Sequence, residues 1–406
     1  MDLCCPFWSN AFIEVKIMID LAIKDLMALL PIPGPPAKEK PVADYLHQTF
    51  VNMGIPDSHI QYDRAQDQSE YGGDVGNMIV SIEGKIEGPS LLFSTHIDTV
   101  PDCVGCQPRI DLENNRIVND APNTALGGDN RAGCAILVTL ARRLMELNGA
   151  HPNIVIVFFV QEEVGLVGAR GLDVSLLGSQ LPAIGINLDG GRVEEVVTRT
   201  IGSERFTIDI TGIPAHAGSR VAEGVSAAVI ASQAIAELEQ AGWHGLIEQP
   251  EGRGSANVGI LDGGQGSNVV MPKLHILAEA RSYDKEFRRK IIETWQEAFK
   301  RAASSLTNIH KQYGTVAFGP GPTYEPYALA DDAPVVKAVR KAAEKIGLDI
   351  KLVDDAGGSD ASWVNAHGIP CVTLNIGQRD VHTTDEWIDL HDFERACELV
   401  IAIAAG

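Results

Sequence analysis

Several short stretches of this chain place histidines and carboxylates where charge is costly. Ser94-Thr95-His96-Ile97-Asp98 closes the apolar run Leu91-Leu92-Phe93 with a histidine and an aspartate two residues apart. Residues i and i+2 share one face of a strand, so these two side chains can meet. Glu162 and Glu163 end the most apolar segment of the chain, Asn153 to Val160. Desolvating a charge without a partner is very costly, so this pair calls for a counter-charge. Asp189 repeats the arrangement after Ile184-Gly-Ile-Asn-Leu188. Asp129 follows Gly127-Gly128 where a helix begins, and His382 comes just after the apolar segment Ile369 to Asn375.

Each feature alone has a plainer explanation. Asp129 suits a helix N-cap, and paired glutamates often mark a solvated loop. Their joint placement is harder to dismiss. His96, Glu163 and Asp189 would all lie at the C-terminal ends of strands, where open α/β sheets carry their sites. His96, Asp129, Glu163, Asp189 and His382 together would hold two divalent cations if Asp129 is shared. Two such ions carry about +4 against −3 from the carboxylates, so one hydroxide brings the cluster near neutrality. Imidazole with carboxylate suits zinc, with cobalt or manganese as substitutes. Glu162 then remains free to take a proton from water and pass it to a leaving amine. Asp98 can accept the ring N–H of His96 and fix its tautomer.

The elements that must position these residues alternate between strand and helix. Strands are expected at Asn77–Glu83, Leu91–His96, Asn153–Val160 and Ile184–Leu188, with helices at Ala37–Asn52 and Arg131–Leu147. This is the pattern of an α/β domain with a largely parallel sheet between helical layers. Near Gly202 the texture changes to β-α-β-β-α-β, the ferredoxin-like order. Strands there are expected at Arg205–Thr211, around Ala256–Leu261, at Leu274–Ser282 and at Tyr313–Phe318. The intervening helices run from Ala222 to Gln240 and from Lys285 to Ser305. After Gly319-Pro-Gly-Pro322 the first texture returns, with helices at Ala333–Ile346 and Asp392–Ala404. The expected organisation is an extension over 1–17, a catalytic domain over 18–201 and 320–406, and a small α+β domain inserted at 202–319. Met18 opens a second, more ordinary start.

Composition narrows the classes. Against 33 Lys and Arg stand 54 Asp and Glu, a net charge of −21, which disfavours nucleic acid and anionic membranes as partners. No stretch is apolar enough to span a bilayer. Seven scattered cysteines fit a reducing cytoplasm better than a disulfide framework. Cys103-Val-Gly-Cys106 is a lone C-x-x-C, too little for a zinc or redox motif. No G-x-G-x-x-G follows a first strand, which argues against a nucleotide-dependent enzyme. A non-catalytic binding protein on the same fold should have lost Glu162 or a ligand, and none is missing.

The stretches STHIDTVPD, GGDNRAG, QEEVG, NLDGG and GGSDASWVNAHGIPCVTLNIG, leading to His382, together resemble a known family. These are the di-zinc exopeptidases that include peptidase T, carboxypeptidase G and the aminoacylases. The resemblance covers nearly all of the chain after Met18, and the peptidase T branch is the most similar. It implies five metal ligands at His96, Asp129, Glu163, Asp189 and His382, and a catalytic pair at Asp98 and Glu162. It also implies that the inserted domain is a lid through which a homodimer forms. His216, in Pro214-Ala-His216-Ala-Gly218, matches a histidine that stabilises the oxyanion, often across the dimer. Asn268 and Arg281 match residues that hold the substrate carboxylate. A cis peptide often follows the shared aspartate. The implied activity is release of the N-terminal residue from tripeptides or other short peptides. The alternative on the same scaffold is a deacylase, dipeptidase or carboxypeptidase acting on N-acyl amino acids or peptides. RDVHTTDEW, around the last ligand, differs from the family in its flanking residues.

Overall fold

The computed structural model describes the backbone of residues 6–406 and the side chains from Ile17 onward, that of Pro322 excepted. Of the anticipated extension over 1–17, the first five residues lie outside the described residues. The rest is helix, continuous with the following residues in α1 (Pro6–Leu29).

Two compact units make up the chain. The first runs up to Arg199 and takes up again at Leu329–Asp355 and Ser359–Gly406; the second is Thr200–Ala328 with Ala356–Gly358. The elements of the first unit before the break are α1, α2 (Lys40–Asn52), β1 (Ile60–Tyr62), β2 (Met78–Ile82), β3 (Leu91–His96), β4 (Pro108–Asp111), β5 (Arg116–Asn119), α3 (Gly128–Glu146), β6 (Ile154–Phe159), α4 (Val167–Arg170), β7 (Ile184–Leu188) and β8 (Glu195–Thr200). The second unit contains β9 (Gly202–Thr211), α5 (Ala227–Gln240), β10 (Gly245–Gln249), β11 (Gly252–Gly263), β12 (Lys273–Ser282), α6 (Lys285–Ser305), β13 (Thr315–Tyr324) and β14 (Tyr327–Ala328). The chain then completes the first unit with α7 (Pro334–Ile346), β15 (Lys351–Asp355), α8 (Asp360–Ala366), β16 (Cys371–Leu374), β17 (Gln378–Arg379), β18 (Trp387–Asp389) and α9 (Leu390–Ala405).

The main sheet of the first unit runs β1-β2-β6-β3-β7-β16-β8, with β15 also on β8. Its centre, β6-β3-β7-β16, is parallel, and the pairs β1–β2, β2–β6 and β16–β8 are antiparallel. All six residues of β6 are buried, as a strand covered on both faces requires. Ile154, Ile156 and Phe158 join the core that contains α1, α2, α3, α7 and α9. Val155, Val157 and Phe159 alternate to the opposite face. On that face lies α8, which packs on β7 and β16. The unit is therefore a helix–sheet–helix sandwich.

Helix ends follow local chemistry. α7 begins with Pro334 and stops at Gly347, whose φ of +68° lets its amide reach back to Ala343 O and Glu344 O. α3 is helical only from Arg131, because Asp129 (ψ 101°) and Asn130 (ψ 46°) leave the helical region. That agrees with the helix start expected at Arg131.

In the second unit the strands lie in the order β10-β11-β12-β9-β13, all antiparallel to their neighbours. Without β10 this is the ferredoxin-like arrangement. β10 is an added edge strand whose short run, Gly245-Leu-Ile-Glu-Gln249, gave no clear alternation. Gly319-Pro-Gly-Pro322, read as the return to the first domain, lies inside β13, which continues to Tyr324 with a register shift after Pro320. The pairing absorbs the prolines as an irregularity, as edge strands can.

Candidate metal centre

The C-terminal ends of the parallel strands converge. His96 ends β3, Glu162 and Glu163 follow β6, Asp189 follows β7, and His382 sits in the loop between β17 and β18. Asp129 reaches them from the turn before the helical part of α3. Its two carboxylate oxygens point to different histidines. Oδ1 is 3.0 Å from His96 Nε2, and Oδ2 is 3.2 Å from His382 Nε2. His96 Nε2 also stands 3.9 Å from Asp189, and His382 Nε2 stands 2.9 Å from Glu163. Two donor groups result, His96–Asp129–Asp189 and His382–Asp129–Glu163, with Asp129 common to both. The chemistry of these donors fits two divalent cations. The peptide bond Asp129–Asn130 is cis.

Asp98 is fully buried and does more than aim His96. Its carboxylate lies 3.3 Å from His96 Nδ1 and also accepts the backbone N–H groups of Glu162 (3.0 Å) and Glu163 (3.1 Å). One residue back, Gln161 N–H donates to buried Glu39 at 3.1 Å. Three successive amides of the turn are thus held by two carboxylates. The turn needs such support, since Gln161 adopts a left-handed φ of +54°. A non-glycine residue there costs on the order of 1–3 kcal/mol. Burial, with Asp98 adding, pushes Glu39 up to about 8.

Behind the shared aspartate, α3 approaches β3 closely. A Cβ at Gly133 would overlap Thr95 Oγ1 and Asn130 Oδ1. Buried Arg131 donates to Ile97 O and, at 3.1 Å, to Ile32 O. It is a cation set beneath the acidic cluster.

The electrostatics are those of a crowded acid site. Burial lowers the tendency of His96 to hold a proton, but Asp129 and Asp98 outweigh it and raise its pKa well above the usual value. Hydrogen bonds to Asp129 and Glu163 push His382 up to about 10. Burial alone would raise Asp129, yet His382 and His96 hold it below the usual carboxylate range. Glu162 and Asp189 are raised well above theirs, by burial first and then by neighbouring carboxylates. Burial likewise pushes Asp360, at the start of α8, up to about 7. A set of buried acids with so few cations of its own is suited to bound metal.

Sequence reasoning named His96, Asp98, Asp129, Glu162, Glu163, Asp189 and His382, and the fold brings these seven together. It did not find Glu39, Gln378, Glu386 or Asp360, whose signal depends on tertiary contact. His216, Asn268 and Arg281 lie in the second unit. There His216 is exposed and its Nδ1 accepts the amides of Gly218 (3.1 Å) and Ser219 (3.2 Å), which leaves Nε2 to carry the proton. The loop of His216 pairs with that of Asn268 through Ala217 N–H to Asn268 O at 2.9 Å. Arg281 donates to Glu279 and, at 3.0 Å, to Ala356 O. Cys103 and Cys106 are buried thiols outside any of the metal-donor groups among the described residues. Burial pushes Cys106 up to about 11, which suits packing better than reactivity.

A parallel-sheet domain that gathers two histidine–carboxylate groups around one aspartate is the frame of a metallohydrolase. Residues 92–405 match the model of Peptidase family M20/M25/M40, and the chain belongs to that family. It is 31% identical over 382 residues to the uncharacterized protein YqjE of Bacillus subtilis strain 168, covering 94% of this chain and 96% of that one. Among solved structures it is similar to aminopeptidase PepT from Bacillus cereus ATCC 10987, with a TM-score of 0.83 and 32% identity over 95% of this chain and 98% of that one. A tripeptidase from Staphylococcus aureus Mu50 is also similar, with a TM-score of 0.83 and 27% identity over 95% and 98%. The chain is a peptidase-type hydrolase of the peptidase T kind.

Proposed function

We propose that the protein is a two-zinc aminopeptidase that releases the N-terminal residue of tripeptides and other short peptides. The observation that carries this reading is the division of Asp129 between His96 and His382, with Glu162 beside the cluster and needed by neither donor group. The similarity to an aminopeptidase and a tripeptidase supports the substrate class. His96, Asp129 and Asp189 would hold one ion; His382, Asp129 and Glu163 the other. When bound, the ions make a water acidic enough to attack at neutral pH and polarise the scissile carbonyl.

The rest falls to the chain. Glu162 accepts the proton of the attacking water and delivers it to the departing amine nitrogen. Asp98 keeps His96 in one tautomer and holds the turn that presents Glu162. His216, with its proton on Nε2, is a donor suited to an oxyanion, and Asn268 and Arg281 are suited to a substrate carboxylate.

The test is a substrate panel of Ala-Ala-Ala, its N-acetyl form and Ala-Ala, assayed with zinc present. Cleavage of the free tripeptide at least ~100-fold faster than of the blocked one supports the aminopeptidase. Equal cleavage of the blocked peptide assigns the site to a deacylase or carboxypeptidase instead.

A further inference from the structure

The hairpin β17–β18 brings His382 to the site, and two of its other side chains reach the loops that carry Asp129 and Asp189. Buried Glu386 lies four residues after His382. Its Oε2 accepts the N–H of Gly127 at 2.7 Å, and its Oε1 accepts the N–H of Asp129 itself at 3.0 Å. Buried Gln378 lies four residues before His382. Its Oε1 accepts the N–H of Gly190, next to Asp189, at 2.6 Å. Its Nε2 donates to Asn130 Oδ1 at 3.1 Å and to Gly128 O at 3.3 Å. The loops of Asp129 and Asp189 are thereby tied to the segment that carries His382.

We infer that Glu386 and Gln378 are positioning residues for the metal centre: the hairpin that supplies His382 also sets where Asp129 and Asp189 stand relative to it. The inference rests on the two-cation reading above. The physical reason is the backbone of the Asp129 turn. Gly127 is left-handed (φ +79°), and Asp129 and Asn130 are not helical, so no helix hydrogen bond holds the amides of Gly127 and Asp129. Glu386 supplies the missing acceptors, one on each carboxylate oxygen, an arrangement that an amide side chain with a single oxygen does not reproduce. Its removal would leave a bridging carboxylate free to turn toward one histidine. Gln378 is matched to its place in the same way, since it must accept from Gly190 and donate to Gly128 and Asn130 together. A carboxylate at 378 lacks the donor, and an amide at 386 turns an N–H toward an N–H. This gives a role to two residues that flank the last histidine, Gln378 and Glu386.

The test is a cobalt titration of the metal-free full chain, followed by calorimetry and by the visible absorption of the bound ion, for wild type, Glu386→Gln and Gln378→Ala. The metal-free forms are also melted. The expected result is two ions on wild type and, in both variants, at least one ion bound roughly 10–100-fold more weakly with an altered absorption band. The metal-free melting points of the variants should fall only modestly, since each leaves buried polar groups unpaired, and by less than the loss of metal binding requires. Variants that bind both ions as tightly as wild type, with an unchanged band, overturn the inference. So does a fall in metal-free stability that accounts for the whole effect. Should Glu386→Gln fail to fold, Gln378→Ala carries the same test. Wild type binding fewer than two ions would instead overturn the two-cation reading itself.

Discussion

Glu162 and Glu163 adjoin each other yet are assigned opposite duties, base and ligand. The assignment rests on Glu163 standing 2.9 Å from His382 and on Asp98 holding both amides. Glu162 also lies within a possible donor group with His96, so the distinction is open to experiment. Glu162→Gln should keep the metal content of wild type while activity falls roughly 10²–10⁴-fold, as loss of a general base does. Loss of metal in step with activity would make Glu162 a ligand. A second consequence concerns protons. In the metal-free protein His382 is pushed up to about 10 and His96 is raised well above the usual value, so both are charged at pH 7. Metals bind neutral imidazole and ionised carboxylate, so binding at pH 7 should release protons from both histidines and from the raised acids, about two or more in all, and affinity should rise with pH. Calorimetry in two buffers of different ionisation enthalpy reads this directly; no release would contradict the charge state. The stability sign is fixed by the same shifts. A raised histidine stabilises fully below its unfolded value of about 6.5, and that contribution is lost as pH rises through the folded value of about 10. The raised acids act in the same direction, so the metal-free protein should lose stability on going from pH 6.5 to 10.

At the scale of elements, the site depends on how closely α3 meets β3. Gly133 makes that approach possible, and a Cβ there would push on Thr95 and on Asn130, the neighbour of Asp129. Gly133→Ala should therefore destabilise the fold by about 1–3 kcal/mol, the usual cost of overpacking. A denaturant midpoint measured with and without zinc checks it; an unchanged midpoint would show that the helix can shift without cost. In both units the elements were legible in the sequence where they were long or apolar. β3, β7 and α6 begin and end where apolar run, turn residues and N-cap place them. α8 went unseen because seven residues show too little period, and β17 and β18 because two- and three-residue strands show none. The prolines at 320 and 322 suggested a boundary, but strand pairing in β13 runs through them. Asp98 was legible as the partner of His96 because the two are neighbours in sequence. Glu386 was not, because its partners lie more than 250 residues away in the chain.

Across the molecule, binding and folding are linked through the same carboxylates. Burial first, and then nearby carboxylates such as Asp129 and Asp360, raises Glu163, Asp189 and Glu162 in the metal-free state. Cations that neutralise them stabilise the folded form and have little to bind in the unfolded one. Chelation should lower the melting temperature of the first unit, and added zinc should restore it. A melt indifferent to chelator would mean that the carboxylates hold no ion. No helix among the described residues is long and apolar enough to cross a membrane. The net charge of −21 makes the surface a poor match for polyanions.

The central claim is that two cations share Asp129 and that both are needed for peptide cleavage. It is tested most directly by removing metal, restoring zinc in steps, and following Ala-Ala-Ala hydrolysis against the zinc bound per chain. The account predicts activity that rises to a plateau at about two zincs per chain. Full activity at one zinc, or none with two bound, would contradict it.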